Sequence, residues 1–264
     1  MRESEKLGTG RSSRTAVILA AGIASRLRPL TDHTPKCLLA PGGKRILHRT
    51  IASLHANGIM RVVIVTGYLH TLVEEFVRRH WSTLEVIFVH NPDYASTNNI
   101  HSLWLARDAV GTDEMLLLDS DILFHPGIIA ALLDAPHADC IALNTAHPVG
   151  EEEIKVRLDG DGGRILAISK TVPVAEAAGE SIGIERFSPT FTARLFMVIE
   201  EMVRREGRSD VFYEAAFERV IAAGRPLHAV DISAWPCMEL DTVEDFRRAE
   251  REIIPLLDAD GRVV

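Results

Sequence analysis

The segment from residue 16 to residue 39 constrains the fold more than any other part of the chain. It reads AVILAAGIASRLRPLTDHTPKCLL, so an apolar run is followed by small residues and then by cations. A short apolar run of this kind is typical of a strand buried on both faces of a parallel sheet. Because Ala20, Ala21 and Gly22 have little or no side chain, the backbone there can lie directly against a ligand. The segment therefore predicts a first strand with a ligand-binding loop at its carboxyl end.

Cationic side chains follow the small residues in the same loop. They are Arg26, Arg28 and Lys36. Backbone N–H groups and clustered cations beyond the end of a strand are well suited to bind phosphate groups. We therefore predict a polyphosphate site at this edge of the sheet.

Strands and helices alternate through the first half of the chain. Apolar runs predict strands at residues 61–66, 84–90 and 115–118, and helical spacing predicts helices at 44–57 and 69–79. Such alternation indicates an α/β fold with a doubly wound, mostly parallel sheet. Ligands of these sheets bind beyond the carboxyl ends of the strands, where the polyphosphate site is predicted.

The pattern changes near residue 150. A charged stretch leads into a glycine-rich turn and a return strand, which is the pattern of a β-hairpin. We therefore interpret residues 150–188 as a small antiparallel lid over the sheet. Two helices and a late strand follow, at 189–205, 210–223 and 226–232. The length favours a flexible tail over residues 1–14 and a single domain over residues 15–264.

Composition argues against two classes of function. The formal net charge of -8 disfavours a surface that binds nucleic acid. No stretch approaches the roughly 18 apolar residues of a membrane span, and the N-terminus lacks the apolar core of a signal peptide. The three cysteines are widely spaced and show no metal-ligand pattern. We expect a cytoplasmic enzyme without nucleic-acid or membrane partners, and we leave a homo-oligomer open.

Acidic residues follow a predicted strand in the middle of the chain. Asp119 and Asp121 are two positions apart at the end of the strand 115–118, so they project to the same side. Carboxylate oxygens are the ligands that Mg²⁺ and similar hard cations prefer. A second acidic segment begins at Glu239, where Thr242 and Asp245 are spaced to cap the last helix.

The loop and the acidic segments together resemble the nucleotidyltransferases that activate sugar phosphates and related small phosphates. The positions in register with that family's signature are Leu19-Ala20-Ala21-Gly22, Arg26-Leu27, Pro29-Leu30-Thr31 and Pro35-Lys36. Ala24 stands where the pattern has its second glycine, and because alanine disfavours left-handed backbone we expect an ordinary φ there. The resemblance covers residues 15–250 and implies a Rossmann-like three-layer nucleotidyltransferase fold with a small antiparallel lid.

The resemblance also implies roles for individual residues. The catalytic pair would be Arg26, which holds the β- and γ-phosphates, and Lys36, which steadies the α-phosphate. Asp121 and Asp241 would bind Mg²⁺, the expected cofactor. The implied nucleotide-binding residues are Leu19, Ala20, Ala21, Gly22, Arg26, Asn98, Asn99, Ser102 and Asp119.

Three further segments resemble the cytidylyltransferase branch of this family. They are the Asn98-Asn99 loop, the paired E-x-K-V and I-x-K motifs, and G-E-S-I-G-I at residues 179–184. This likeness implies that the partners are CTP and a small phosphate or phosphonate acceptor of the phosphocholine or 2-aminoethylphosphonate type, with release of pyrophosphate. The implied acceptor-binding residues are Glu153, Lys155, Lys170, Glu180 and Gly183. Whether Glu153 or Glu180 faces the head group stays open.

Two alternatives remain. A sugar-1-phosphate nucleotidyltransferase that uses UTP, dTTP or GTP would share the core but should have a longer sugar-reading region. A non-catalytic nucleotide-sensing domain would be expected to have lost Lys36 or one of the acidic pair, and all three are present. A nicotinamide-dependent dehydrogenase is disfavoured because the loop lacks the G-x-G-x-x-G pattern.

Overall fold

The computed structural model of the chain describes residues 14–160 and 163–259. The predicted tail, residues 1–14, lies outside the described residues apart from Arg14, which begins the first strand. The elements of the first half, in chain order, are β1 (Arg14–Ala20), α1 (Ile46–Ala56), β2 (Arg61–Thr66), α2 (His70–His80), β3 (Glu85–His90), α3 (Asn99–Val110), β4 (Glu114–Asp119), β5 (Ile122–Phe124), α4 (Gly127–Asp134) and β6 (Cys140–Asn144).

The second half contributes fewer helices and more antiparallel strands. Its elements are β7 (Lys155–Leu158), β8 (Ile165–Ser169), β9 (Gly179–Phe187), α5 (Pro189–Glu200), α6 (Glu214–Ala222), β10 (His228–Asp231), β11 (Cys237–Glu239), α7 (Val243–Arg248) and α8 (Ile254–Ala259). A π-helical turn extends α5 over Glu201–Arg205, and another joins α7 to α8 over Ala249–Ile253. Short 3₁₀ turns lie at Ser25–Leu27, Lys36–Leu38, Pro41–Gly43 and Val174–Glu176.

The main sheet confirms the predicted α/β class. Its strand order is β10-β6-β9-β4-β1-β2-β3, and β1 pairs in parallel with both β2 and β4. The antiparallel strand is β9, which lies between β4 and β6. Strand order reverses at β1, because β2 lies on one side of it and β4 on the other. A ligand site is expected beside such a switch point, at the carboxyl end of β1.

Helices cover both faces of the sheet, and β1 is apolar and buried at every position from Ala16 to Ala20. Ala16 and Ile18 pack with α1, α2 and α4 on one face, whereas Val17 and Leu19 pack with α3, α5 and α6 on the other. Val17 and Ile18 are fully buried, and burial of a side chain of this size stabilises the fold by about 1.5–3 kcal/mol. The three-layer arrangement leaves the ends of the strands, not the faces, open to ligands.

The predicted lid, residues 150–188, is divided between a hairpin and the main sheet. β7 and β8 pair antiparallel, and β7 also pairs with the start of β9. β9 itself lies between β4 and β6 in the main sheet. Its side chains Ile184 and Phe187 are therefore buried in the two layers of core. Residues 161 and 162, between β7 and β8 in the chain, lie outside the described residues.

A separate two-stranded ribbon connects the middle of the chain to its last helices. β11 pairs antiparallel with β5, with Glu239 opposite Ile122, and the Leu240 N–H donates to the Asp121 carbonyl at 3.0 Å. The predicted capping box of α7 is present, since Thr242 and Asp245 exchange hydrogen bonds. None of the helices in the described ranges is both long enough and apolar enough to cross a membrane.

Candidate active site

The loop after β1 turns sharply at Ala24. The expectation of an ordinary φ at this residue is wrong, because Ala24 has φ 52° and ψ 53° in the left-handed region. Such a backbone costs roughly 1–2 kcal/mol for a residue with a side chain. Two hydrogen bonds hold it there: the Ala24 carbonyl accepts from the Thr31 hydroxyl at 2.9 Å and from the Leu27 N–H at 3.1 Å.

A smaller cavity of about 330 Å³ lies between this loop and the start of α3. Nothing in the structure lies within 4 Å of a Cβ built on Gly22, so the backbone there faces open space as the sequence predicted. The lining residues are Leu19, Ala20, Ala21, Gly22, Ala24, Arg26, Lys36, Cys37, Asn91, Tyr94, Thr97, Asn98, Asn99, Ser102, Asp119, Ser120, Asp121, Phe212, Glu239 and Asp241. Every predicted nucleotide-binding residue is in this set.

Lys36 lies between two carboxylates on the floor of the smaller cavity. Its ammonium group donates to Asp121 Oδ2 and to Asp241 Oδ1, each at 2.8 Å, and its side chain is only 12% exposed. Burial disfavours the charged form, but Asp121 and Asp241 outweigh it and raise the pKa of Lys36 above its usual range. The residue is therefore a fixed cation at neutral pH.

Arg26 approaches the same site from the loop. Its guanidinium contacts Asp241 Oδ2 at 2.5 Å, while most of the side chain is exposed. Burial raises the pKa of Asp241, but the Lys36 and Arg26 cations outweigh burial and lower it overall. A salt bridge thus connects the loop after β1 to the segment that follows β11.

A third carboxylate, Glu239, completes the cluster. One oxygen each from Asp121, Glu239 and Asp241 lie within 4.8 Å of one another. Burial raises the pKa of Glu239 to about 8, helped by the Asp121 and Asp241 carboxylates and opposed by Lys36. The Oδ1 atom of Asp121 is buried and has no hydrogen-bond partner in the described part of the chain. Three carboxylates around an unsatisfied oxygen fit a hard divalent cation.

Sequence analysis missed Glu239 because it assigned only Asp241 from the second acidic segment. A signal was present, since Glu239 and Asp241 are two positions apart, as are Asp119 and Asp121. Alternate residues of an extended chain project to the same side. Glu239 and Asp241 therefore face Asp121 together once β11 pairs with β5.

Asp119 lies at the end of β4 behind this cluster. Its Oδ2 accepts a hydrogen bond of 2.9 Å from the hydroxyl of Tyr213, which is fully buried. Burial raises the pKa of Asp119 well above its usual range, and the Asp121 and Glu214 carboxylates add to the effect. Gly183 packs against it: this glycine has φ +70°, and a Cβ there would lie 2.5 Å from Asp119 Oδ2. The position therefore requires glycine.

Three of the predicted nucleotide-binding residues, Asn98, Asn99 and Ser102, line the smaller cavity from α3 and the residue before it. Asn98 caps α3 by accepting from the Asn99 N–H at 2.8 Å, and Asn99 Oδ1 accepts from the Tyr213 N–H at 2.8 Å. Ser102 is 4% exposed and its hydroxyl accepts from the Asn91 amide at 3.1 Å. These bonds fix the orientation of three polar side chains along one wall of the cavity.

A larger cavity of about 660 Å³ opens on the other side of the carboxylate cluster. It shares with the smaller cavity Arg26, Asn99, Asp119, Asp121, Phe212, Glu239 and Asp241. Its remaining lining residues are Ile122, Asn144, His147, Pro148, Glu152, Glu153, Ile154, Lys170, Glu180, Ser181, Ile182, Gly183, Glu214, Cys237, Met238, Asp245, Arg248, Glu252 and Ile253. The two cavities meet where Asp121 and Asp241 lie.

Four of the predicted acceptor residues line the larger cavity: Glu153, Lys170, Glu180 and Gly183. Burial raises the pKa of Glu180, and the neighbouring Glu153 carboxylate adds to this effect. Lys170 lies 3.5 Å from Glu152 Oε2 and 5.1 Å from the ring centroid of Phe212. Sequence analysis missed Phe212 and also Glu214, which is 5% exposed and has its pKa raised to about 7 by burial.

Lys155 is not brought into the larger cavity. It is fully buried, and its ammonium group donates to three backbone carbonyls, those of Gly150, Glu151 and Glu153, at 3.2, 2.8 and 3.3 Å. All three donor positions of a lysine are thereby used. The structure thus ties Lys155 to the loop before β7 and leaves the ammonium group no donor for a ligand.

Replacing Lys155 by methionine should therefore destabilise the protein. Three backbone carbonyls would lose a charged donor that is itself fully buried, so we expect the free energy of unfolding to fall by roughly 1–3 kcal/mol. Urea denaturation followed by circular dichroism measures this change. The matched control is Lys170→Met, because Lys170 is more exposed and its ion pair is long, so that the loss should stay below about 1 kcal/mol. Unchanged stability of Lys155→Met would contradict the structural role.

Comparison with known proteins identifies relatives of this chain. The family model for the MobA-like NTP transferase domain matches residues 16–220. A choline-phosphate cytidylyltransferase of Streptococcus pneumoniae is 33% identical over 89% of this chain and 96% of its own length. A CMP-5'-(3-aminopropyl)phosphonate synthase of Streptomyces rubellomurinus is 30% identical over 91% of this chain, which spans only 39% of that protein.

The fold is also found among solved structures. The structure of a CTP:phosphocholine cytidylyltransferase from Streptococcus pneumoniae superimposes with a TM-score of 0.72 and 22% sequence identity. The match covers 91% of this chain and 99% of that one. The predicted three-layer fold and the predicted resemblance are both confirmed.

Proposed function

The chain belongs to the family of MobA-like NTP transferase domains and is a nucleotidyltransferase, and we propose that it transfers CMP from CTP to a small phosphate or phosphonate acceptor. One observation carries the proposal. A smaller cavity bordered by the signature loop and a larger cavity bordered by the lid meet at Asp121 and Asp241, and Lys36 donates to both of these aspartates. Two substrates bound in these cavities would meet beside a fixed cation and a cluster of carboxylates.

The nucleotide would occupy the smaller cavity. Small residues at positions 20–22 allow the triphosphate to approach the backbone, and Arg26 would hold the β- and γ-phosphates. Asn98, Asn99 and Ser102 offer both donors and acceptors, which a cytosine edge requires. Similarity to cytidylyltransferases supports CTP over other nucleotides.

The reaction would be an in-line displacement at the α-phosphorus of CTP. An acceptor oxygen forms a new bond to that phosphorus while the bond to the β-phosphate oxygen breaks, and pyrophosphate leaves with the electron pair. The attacking oxygen is already an anion at neutral pH, so no side chain has to remove a proton. Phosphoryl transfer of this kind depends on positioning and charge neutralisation. Lys36, a permanent cation, would steady the α-phosphate and the incoming oxygen.

The carboxylate cluster would hold the divalent cation that this chemistry calls for. Asp121 and Asp241 are the proposed Mg²⁺ ligands, and Glu239 is placed to assist them. A bound Mg²⁺ supplies charge neutralisation at the α-phosphate and the leaving group. Lys36 donates to both aspartates and keeps their oxygens on the side of the cluster where the two cavities meet.

The acceptor would occupy the larger cavity with its head group toward the lid. Lys170 is the proposed partner of the acceptor anion on the lid side. Glu153 and Glu180 are the proposed partners of a polar or cationic head group. Lys155 would act indirectly, by fixing the backbone carbonyl of Glu153.

Two other readings are less well supported. A sugar-1-phosphate nucleotidyltransferase would share the core, but the hairpin of β7 and β8 is short, and the first relatives found are cytidylyltransferases. A nucleotide-sensing domain does not need an ion pair between Lys36 and two aspartates. In this structure the Lys36 ammonium group lies 2.8 Å from both Asp121 Oδ2 and Asp241 Oδ1.

Pyrophosphate release tests the proposal directly. The protein would be incubated with Mg²⁺, with CTP, UTP, dTTP or GTP in turn, and with phosphocholine, 2-aminoethylphosphonate, inositol phosphate or glucose-1-phosphate. We expect release with CTP and one of the small phosphate or phosphonate acceptors. Release with glucose-1-phosphate and another nucleotide would replace the proposal by the sugar alternative. Tight binding of CTP without any release would favour a sensing domain.

We also propose a reducing, cytoplasmic location. Cys37, Cys140 and Cys237 are free thiols. Burial raises the pKa of each to about 12, which keeps all three protonated at neutral pH. Unreactive buried thiols are compatible with a compartment in which disulfides do not form.

A further inference from the structure

The larger cavity has a charge distribution that a phosphate or phosphonate acceptor must overcome. Within the described residues, three lysine or arginine side chains line it: Arg26, Lys170 and Arg248. Ten acidic side chains line it: Asp119, Asp121, Glu152, Glu153, Glu180, Glu214, Glu239, Asp241, Asp245 and Glu252. Burial raises the pKa of Asp119, Glu180, Glu214 and Glu239, so these four contribute less negative charge than the number of side chains implies. An entering dianion would be repelled by such a wall unless a cation were available to receive it.

The three cations differ in the contacts that hold them. Arg26 contacts Asp241 at 2.5 Å, and Lys170 lies 3.5 Å from Glu152 with its ammonium group over the ring of Phe212. The guanidinium group of Arg248 is held more weakly, because its ion pair with Asp245 is 3.9 Å long. Its side chain is 52% exposed, so the guanidinium can turn toward a ligand at little cost.

The last helices bring Arg248 to the cavity for a simple geometric reason. The capping box at Thr242 fixes the start of α7 directly after Asp241. The Asp241 N–H donates to Asp245 Oδ2 at 3.3 Å, and Arg248 lies 3.9 Å from Asp245 Oδ1 one helical turn further along α7, so both side chains lie near Asp241. Arg247 and Arg251 lie on other faces, pair with Glu244 and line neither cavity.

We propose that Arg248 binds the phosphate or phosphonate group of the acceptor, in addition to Lys170 on the lid side. This inference rests on the proposed function, and it assigns a cation to the acceptor anion at the end of the cavity where the transfer would occur. A guanidinium group can form two parallel hydrogen bonds to phosphate oxygens, whereas a lysine acts as a single charge. The Arg248 guanidinium could bind the pyrophosphate product in the same way. The test therefore has to distinguish binding of the acceptor from binding of pyrophosphate.

The kinetic test compares Arg248→Met with the matched control Arg247→Met. For Arg248→Met we expect the KM of the acceptor to rise roughly 10- to 100-fold, with the KM of CTP and the inhibition constant of pyrophosphate changed less than about twofold. Arg248→Lys should recover part of the loss. A rise in the pyrophosphate inhibition constant instead of the acceptor KM would overturn the proposal and assign Arg248 to the product.

A binding test gives a result even if the protein has no cytidylyltransferase activity. Methylphosphonate would be titrated calorimetrically into the wild type, Arg248→Met and Arg247→Met, in each case with saturating CMP and without nucleotide. We expect Arg248→Met alone to lose roughly 10-fold or more in affinity. Equal affinity in all three proteins would reject the role of Arg248. Absence of pyrophosphate release together with selective loss of methylphosphonate binding would reject only the proposed function.

Discussion

Replacement of Lys36 by methionine is expected to lower turnover by several orders of magnitude. The ammonium group is held by two carboxylates at 2.8 Å, so it is already in position when substrates arrive. Loss of one such preorganised donor typically costs on the order of 10²–10³ in rate, and Lys36 would serve both the α-phosphate and the attacking oxygen. The measurement is the single-turnover rate with saturating CTP and acceptor.

A matched control separates catalysis from folding. Lys44→Met removes a lysine that lines neither cavity, and its rate should stay near that of the wild type. Circular dichroism and thermal unfolding should show that Lys36→Met keeps its fold, because the aspartates can bind a divalent ion in place of the ammonium group. A near wild-type rate for Lys36→Met would refute its catalytic assignment.

Replacement of Asp121 by asparagine should have a comparably large effect through the metal. Its Oδ1 atom is buried without a hydrogen-bond partner in the described residues, and its Oδ2 atom accepts from Lys36. Asparagine keeps the shape but removes the charge that a hard cation requires. We expect turnover to fall by several orders of magnitude and Mn²⁺ affinity in the presence of CTP to fall at least about tenfold.

Mn²⁺ binding is measured by electron paramagnetic resonance, which does not depend on turnover. Glu244→Gln is the control, because Glu244 is exposed, lies near Asp241 in sequence and lines neither cavity. It should bind Mn²⁺ as the wild type does. Unchanged Mn²⁺ affinity in Asp121→Asn would show that the cation binds elsewhere.

The parts of the fold that sequence predicts well are those with local signals. β1, β2 and β4 each contain a continuous apolar run, and the signature loop follows β1 without interruption. The pairing of β5 with β11 has no such signal, because each strand has three residues and the two are far apart in the chain. The spacing of Glu239 and Asp241 indicates that they share a side, but only this pairing shows that the side faces Asp121.

The positions of individual side chains were harder to predict than the fold, because the sequence around a residue does not show which groups that residue contacts in the folded protein. The sequence presents Lys155 and Lys170 as equivalent lysines of one hairpin, yet Lys155 is fully buried against backbone carbonyls and Lys170 is open to the cavity. Ala24 shows the same limit for the backbone. Its left-handed conformation depends on bonds from Leu27 and Thr31, which overcome the preference of alanine.

The ribbon of β5 and β11 has a consequence for the growing polypeptide on the ribosome. About 120 residues separate Asp121 from Asp241, a delay on the order of ten seconds at ordinary rates of synthesis. During that interval Lys36 has emerged with one of its two carboxylate partners, and Arg26 has emerged without Asp241. A nascent chain that has reached α6 contains most of the sheet but has an incomplete reaction centre. We therefore expect a chain that ends before β11 to lack nucleotide turnover, because it lacks Asp241.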